Sequence, residues 1–133
     1  MGPMQTDRTV TFTEGWKDNM DIKLSKNSEG VYLLELMGNL DLLSSNHLKT
    51  YVMKKVETGL DCLIVSLKEV AYINSAGIGA LINIFSTLKK LNCNLVMLVP
   101  EGPVLEALKM SRLVGYFPIV RSLKDALSKC GCK

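Results

Sequence analysis

The chain has 133 residues, 47% of them hydrophobic and 22% charged, with 16 Lys and Arg against 13 Asp and Glu for a formal net charge of +3. That length holds one ordinary domain with a proper core, which excludes a disordered chain or a pair of domains. The mild, scattered charge excludes a nucleic-acid footprint, no apolar run reaches the roughly 20 residues of a spanning helix, and the polar start holds no secretory signal, so a cytoplasmic protein without direct nucleic-acid contact or membrane insertion is expected.

Residues 1–20 are polar, with a short strand candidate at Val10 to Thr13, and read as an N-terminal extension that can add an edge strand. Asp21 to Ser25 alternates, Lys26-Asn27-Ser28-Glu29-Gly30 has turn chemistry, and Val31 to Leu36 is strongly apolar. Two strands joined by a turn ending in glycine predict an antiparallel hairpin. Gly38-Asn39-Leu40-Asp41 reads as a connection to a helix capped at Ser44 or Ser45. In that helix Leu48, Tyr51, Val52 and Val56 recur at helical spacing, and Gly59 ends it.

Cys62 to Leu67 is a continuous apolar run with β-branched members, the pattern of a strand covered on both faces. A short loop leads to a helix from about Ser75 to Leu91, with Ile78, Leu81, Ile82, Phe85 and Leu88 on its apolar stripe and Asn83, Thr87 and Lys90 outside it. A strand at Leu95 to Val99, a helix at Val104 to Leu113, a short strand at Phe117 to Val120 and a helix at Ser122 to Leu127 complete the order. Strand–helix–strand units in one sheet are right-handed and place their strands parallel. The expected fold class is therefore α/β. A single domain over residues 21–128 holds a mixed, mostly parallel sheet with about four helices packed against it, and 129–133 form a tail.

Cys62 and Cys93 each adjoin an apolar run and read as small core residues rather than bridge partners. Cys130 and Cys132 lie in the tail; a lone C-x-C pair in a chain with one histidine lacks the other half of a zinc site, so no metal and no cofactor is expected. Gly131 and Lys133 do not fit a prenylation box, and Pro3 beside Gly2 argues against myristoylation.

The most specific stretch is Val70-Ala71-Tyr72-Ile73-Asn74-Ser75-Ala76-Gly77-Ile78-Gly79-Ala80-Leu81, where a buried strand gives way to a helix. In open α/β sheets ligands and partners engage at this end of the strands. Asn74 and Ser75 are both good N-cap residues, and Gly77 and Gly79 allow close approach of another backbone or a partner. A dinucleotide fingerprint fails because Ile82 stands at its third glycine. A nucleophile elbow fails because Ile73 stands at its first glycine and His47, the sole histidine, lies upstream. Two readings remain: Ser75 caps its helix, or it is a phosphorylation switch displayed to a partner.

Ile73-Asn74-Ser75-Ala76-Gly77-Ile78-Gly79 resembles the Asp-Ser-Ser-Gly-Leu-Gly signature of the STAS domain, specifically of the stand-alone bacterial anti-anti-sigma factors. Gly38-Asn39-Leu40-Asp41 is similar to that family's Gly-x-Leu-Asp segment before the first helix. Phe117-Pro118-Ile119-Val120 and Ser122-Leu123-Lys124-Asp125-Ala126-Leu127 are similar to its closing strand and helix. The resemblance spans roughly residues 20–128 and implies a STAS-type fold and a partner-switching role without enzymatic activity. The unphosphorylated protein of that family binds an anti-sigma factor that is also a serine kinase, thereby freeing a sigma factor; phosphorylation reverses this, and a serine phosphatase restores binding. The phosphorylated serine maps onto Ser75, the signature Asp onto Asn74 and the second serine onto Ala76. Asn74 removes one negative charge beside the site. Asp41, Ser44, Asn74, Ser75, Ala76, Gly77, Gly79 and Asn83 are the implied partner contacts. The alternative within the fold is a non-phosphorylated STAS subunit of a transport or sensory complex, which the replacement of Asp by Asn74 favours.

Overall fold

In the computed structural model, residues 10–16, 20–26, 30–57 and 60–131 are described. The N-terminal residues 1–9, residues 27–29 of the expected turn, the expected helix end at Gly59, and Cys132 lie outside them. The described chain forms β1 (Val10–Trp16), β2 (Met20–Lys26), β3 (Val31–Leu40), α1 (Leu42–Val56), β4 (Cys62–Ile73), α2 (Ser75–Lys90), β5 (Asn94–Leu98), α3 (Pro103–Met110), β6 (Ile119–Val120) and α4 (Leu123–Gly131).

All six strands form one sheet in sequence order, β1-β2-β3-β4-β5-β6. The β1–β2 and β2–β3 pairs are antiparallel, and the pairs from β3 through β6 are parallel. This is the mixed, mostly parallel α/β architecture that the element order predicts. The candidate at Val10 to Thr13 becomes a full edge strand, paired along its length with β2.

Alternation along the strands divides the core in two. Leu63, Val65 and Leu67 face the larger cluster with Leu48 and Val52 of α1, Leu81, Ile84 and Leu88 of α2, and Leu105 and Leu108 of α3. Cys62 and Ile64 face the other side with Val31, Leu33, Val96 and Leu98, where Ala126 and Cys130 of α4 cover them. Fully burying one such aliphatic side chain is worth about 1.5–3 kcal/mol, so both faces contribute.

Several boundaries differ from the sequence expectation. β3 continues through Gly38-Asn39-Leu40, which is strand rather than connection. β4 passes Leu67 and reaches Ile73 through two register shifts against β3. Each shift places an extra residue in β4, so inward side chains recur at Leu67, Val70 and Ile73 instead of alternating. α1 begins at Leu42 and is capped by Asp41, not by Ser44 or Ser45, while β6 keeps only Ile119 and Val120.

α4 runs through the expected tail as far as Gly131. Its Cys130 forms a disulfide with Cys62, the two Cα atoms lying 5.8 Å apart. Cys62 is thus a bridge partner, correcting its reading as an unpaired core residue. Burial and bonding coincide here, because both cysteines sit within the second core cluster. Cys93 stays outside the disulfide, a half-buried thiol that donates to the Leu60 carbonyl at 3.0 Å.

Candidate functional site at the start of the second helix

β3 and β4 end together. Leu40 and Ile73 are their last paired residues, and the next residue of each strand, Asp41 and Asn74, is the N-cap of the following helix. The two bulges in β4 carry its end to this position. The Asn74 amide donates to the Leu40 carbonyl at 3.3 Å, stitching the α2 start to the neighbouring strand.

Asn74 satisfies the first turn of α2 locally. Its Oδ1 accepts from the Gly77 amide at 3.1 Å, and its carbonyl accepts from the Ile78 amide at 2.9 Å. Ser75 therefore occupies the first helical position and is not the cap, which corrects one of the two readings of that residue. It is exposed, and among the described residues its hydroxyl has no hydrogen-bond partner; in particular it meets neither His47 nor a carboxylate. A base-activated nucleophile requires such a partner within reach. The first turn of α2 contains no acidic residue.

Gly77 is buried, and a Cβ there would stand 2.5 Å from the Leu40 carbonyl oxygen and 2.8 Å from Ile73 Cγ1. The close approach that glycine allows is to this chain's own backbone. Gly79 is exposed, with nothing within 4 Å of a Cβ placed on it. Ser75, Gly79 and Asn83 succeed one another at helical i, i+4 spacing and all three are exposed, so they form one line along α2. Ala76 is half-buried beside that line.

Asp41 and Ser44 form a capping box. The Ser44 amide donates to Asp41 Oδ1 at 3.3 Å, and the Asp41 amide donates to Ser44 Oγ at 2.9 Å. The Ser44 hydroxyl also donates to the Asn39 carbonyl at 2.7 Å. Ser44 is fully buried by these bonds, whereas Asp41 is half-exposed. Of the expected contact set, Ser75, Gly79 and Asn83 are therefore exposed, Asp41, Asn74 and Ala76 are partly so, and Ser44 and Gly77 are turned inward and act through the scaffold.

Sequence reasoning does not single out Leu42 and Leu43, which follow Asp41 in the first turn of α1 and are 61% and 64% exposed, or Tyr72, which is 52% exposed near the end of β4. All three lie at the strand ends that carry Asn74 and Ser75. For Leu42 and Leu43 the signal is apolar character off the buried stripe of Leu48 and Val52, visible only once the helix start is known.

A protein-family model described as the STAS domain matches residues 23–126. An anti-sigma factor antagonist from Mycobacterium paratuberculosis superposes with a TM-score of 0.70 at 19% identity, covering 97% of each chain. The Bacillus cell fate determinant SpoIIAA in its phosphorylated form gives a TM-score of 0.63 at 15% identity over 81% of this chain and 97% of its own. A murine anion transporter of the solute carrier 26 family gives 0.69 at 16% identity over 98% of this chain, which matches only 23% of the transporter. These likenesses establish a shared fold.

Proposed function

Since the chain belongs to the STAS domain family, we propose that it is an anti-sigma factor antagonist that works by partner switching and has no enzymatic activity of its own. Unphosphorylated, it binds an anti-sigma factor that is a serine kinase; phosphorylated on Ser75, it is released, and a serine phosphatase resets it. One observation carries this reading: Asn74 is the cap of α2, leaving the exposed Ser75 hydroxyl in the first turn without a hydrogen-bond partner among the described residues.

The chemistry suits a switch that spares the fold. A phosphate on Ser75 adds about −1.5 to −2 charge at pH 7. At the amino end of a helix that charge is worth about 0.3–2 kcal/mol of stabilisation. No acidic side chain in the first turn opposes it. Pressed into a dry interface, the same charge costs several kcal/mol unless paired. A loss of about 4 kcal/mol weakens binding roughly a thousandfold.

The partner surface in this reading is the exposed line Ser75, Gly79 and Asn83, with Asp41, Asn74 and Ala76 at its margin. Leu42, Leu43 and Tyr72 supply exposed apolar area at the same strand ends. The structures solved as anti-sigma factor antagonists, that from Mycobacterium paratuberculosis and unphosphorylated SpoIIAA, support the reading by fold.

Asn74 also favours a second reading. Because its neutral amide caps α2 without the charge of the family Asp, Ser75 could serve as a permanent contact in a transport or sensory complex. Affinity purification from the native cells separates the two. Recovery of an ATP-dependent serine kinase by the wild type, and its loss with Ser75→Glu, supports the switch. Recovery of a membrane-associated complex by both proteins supports the permanent subunit.

A further inference from the structure

The exposed face of α2 changes character toward its C-terminal end. Phe85, Ser86, Lys89 and Lys90, with Tyr116 from the segment between α3 and β6, line an open cleft of about 420 Å³. Two of the lining residues are aromatic, and a third ring packs behind them. Phe85 meets Tyr116 edge-on at 5.2 Å between centroids, and Phe117 lies 5.6 Å from Phe85 and 5.1 Å from Tyr116. Phe117 is buried, so it anchors the two rings that reach the surface, while Tyr116 stays 44% exposed. Ser86 Oγ and the Tyr116 hydroxyl are hydrogen-bonded at 3.2 Å, which ties the helix to the loop. Lys89 Nζ lies 5.9 Å from the Phe85 ring centroid. Lys89 and Lys90 are exposed, and neither pairs with a carboxylate among the described residues.

We propose that this cleft binds an acidic peptide segment of a partner protein, seating one aromatic side chain against Phe85 and Tyr116 while flanking carboxylates meet Lys89 and Lys90. Charge complementarity selects the occupant, since among the described residues the lining carries two ammonium groups and no carboxylate. The hollow favours an inserted side chain over a flat lipid surface. Its open shape favours a peptide over a free small molecule, which tight sites bury by 70–90%. Rings already packed edge-to-face on one another receive an inserted side chain with little further ordering. The site is separate from the switch: a rise of 1.5 Å per residue puts Lys89 about 21 Å along α2 from Ser75.

The test uses the full chain and a fluorescein-labelled peptide with one phenylalanine between two short runs of glutamate. Fluorescence anisotropy should show saturable binding, with amide shifts at Ser86 and Tyr116 in heteronuclear spectra. The double variant Lys89→Glu, Lys90→Glu should bind at least tenfold more weakly while keeping its circular dichroism spectrum. Alanine in place of the peptide's phenylalanine should cost at least tenfold, and Ser75→Glu should change affinity less than twofold. Absent saturation, shifts confined to other residues, or equal binding of the alanine peptide each overturn the proposal. So does binding of phosphatidylserine vesicles through the same lysines without binding of the peptide.

Discussion

The carbonyl oxygen of Leu40 stands 2.5 Å from the point that a Cβ on Gly77 would occupy, so the end of β3 and the first turn of α2 touch backbone to backbone. That contact fixes how far Ser75 projects, because the same Leu40 oxygen receives the Asn74 amide. Gly77→Ala should therefore destabilise the fold by about 1–3 kcal/mol, the usual cost of overfilling a packed site. Gly79→Ala should instead stabilise by about 0.5–1 kcal/mol, since its Cβ meets nothing and alanine favours the helix interior. Urea denaturation of the two variants checks the opposite signs, and in the proposed function Gly79→Ala also weakens the anti-sigma partner's binding.

Asn74 and Asp41 are matched caps on adjacent strand ends. Removing either side chain with alanine should cost about 1 kcal/mol. Asn74→Asp keeps the acceptor for the Gly77 amide and adds a charge at the helix start, so it should gain about 0.3–1 kcal/mol at low ionic strength. Added salt should erase the gain, which thermal denaturation at two salt concentrations will read.

The Cys62–Cys130 disulfide closes a loop with a sequence separation of 68. In the chain-entropy description a loop of that size is worth about 4 kcal/mol. Dithiothreitol should therefore lower the urea midpoint of the wild type, whereas Cys130→Ser should already be at the lower value and should not respond. Cys93→Ser should keep the wild-type response, since Cys93 is outside the bridge.

Phosphorylation at Ser75 should leave the folded state intact while abolishing its association. The phosphorylated protein should melt within a few degrees of the unmodified one, because the helix N-terminus tolerates the charge. In the proposed function its affinity for an anti-sigma partner should fall about a thousandfold, corresponding to roughly 4 kcal/mol. Isothermal titration with both forms measures this directly.

Much of this architecture can be read from side-chain periodicity alone. The β2–β3 hairpin shows itself through the alternation of Ile22 and Leu24 and the turn before Gly30, and α2 through its apolar stripe. The second half of β4 escapes because two bulges replace alternation with inward residues at Leu67, Val70 and Ile73. The start of α1 escapes because its first turn exposes Leu42 and Leu43, so the helical period becomes visible only at the buried residues beyond. Ser44 looks like a surface hydroxyl until the capping box draws it inside. The bridge partner of Cys62 is set by α4 folding back over the second sheet face, and spacing in the sequence does not encode which cysteines will meet. At the site, the choice between Asn74 and Ser75 as cap is decided by the Gly77 amide, which points at the Asn74 side chain.

Whether Ser75 is a reversible phosphoacceptor is read by intact-mass analysis of the protein from its native cells, beside Ser75→Ala. A fraction of the wild type should carry one phosphate, absent from the alanine variant and varying with growth condition. A wild-type chain that stays unmodified under every condition would contradict it.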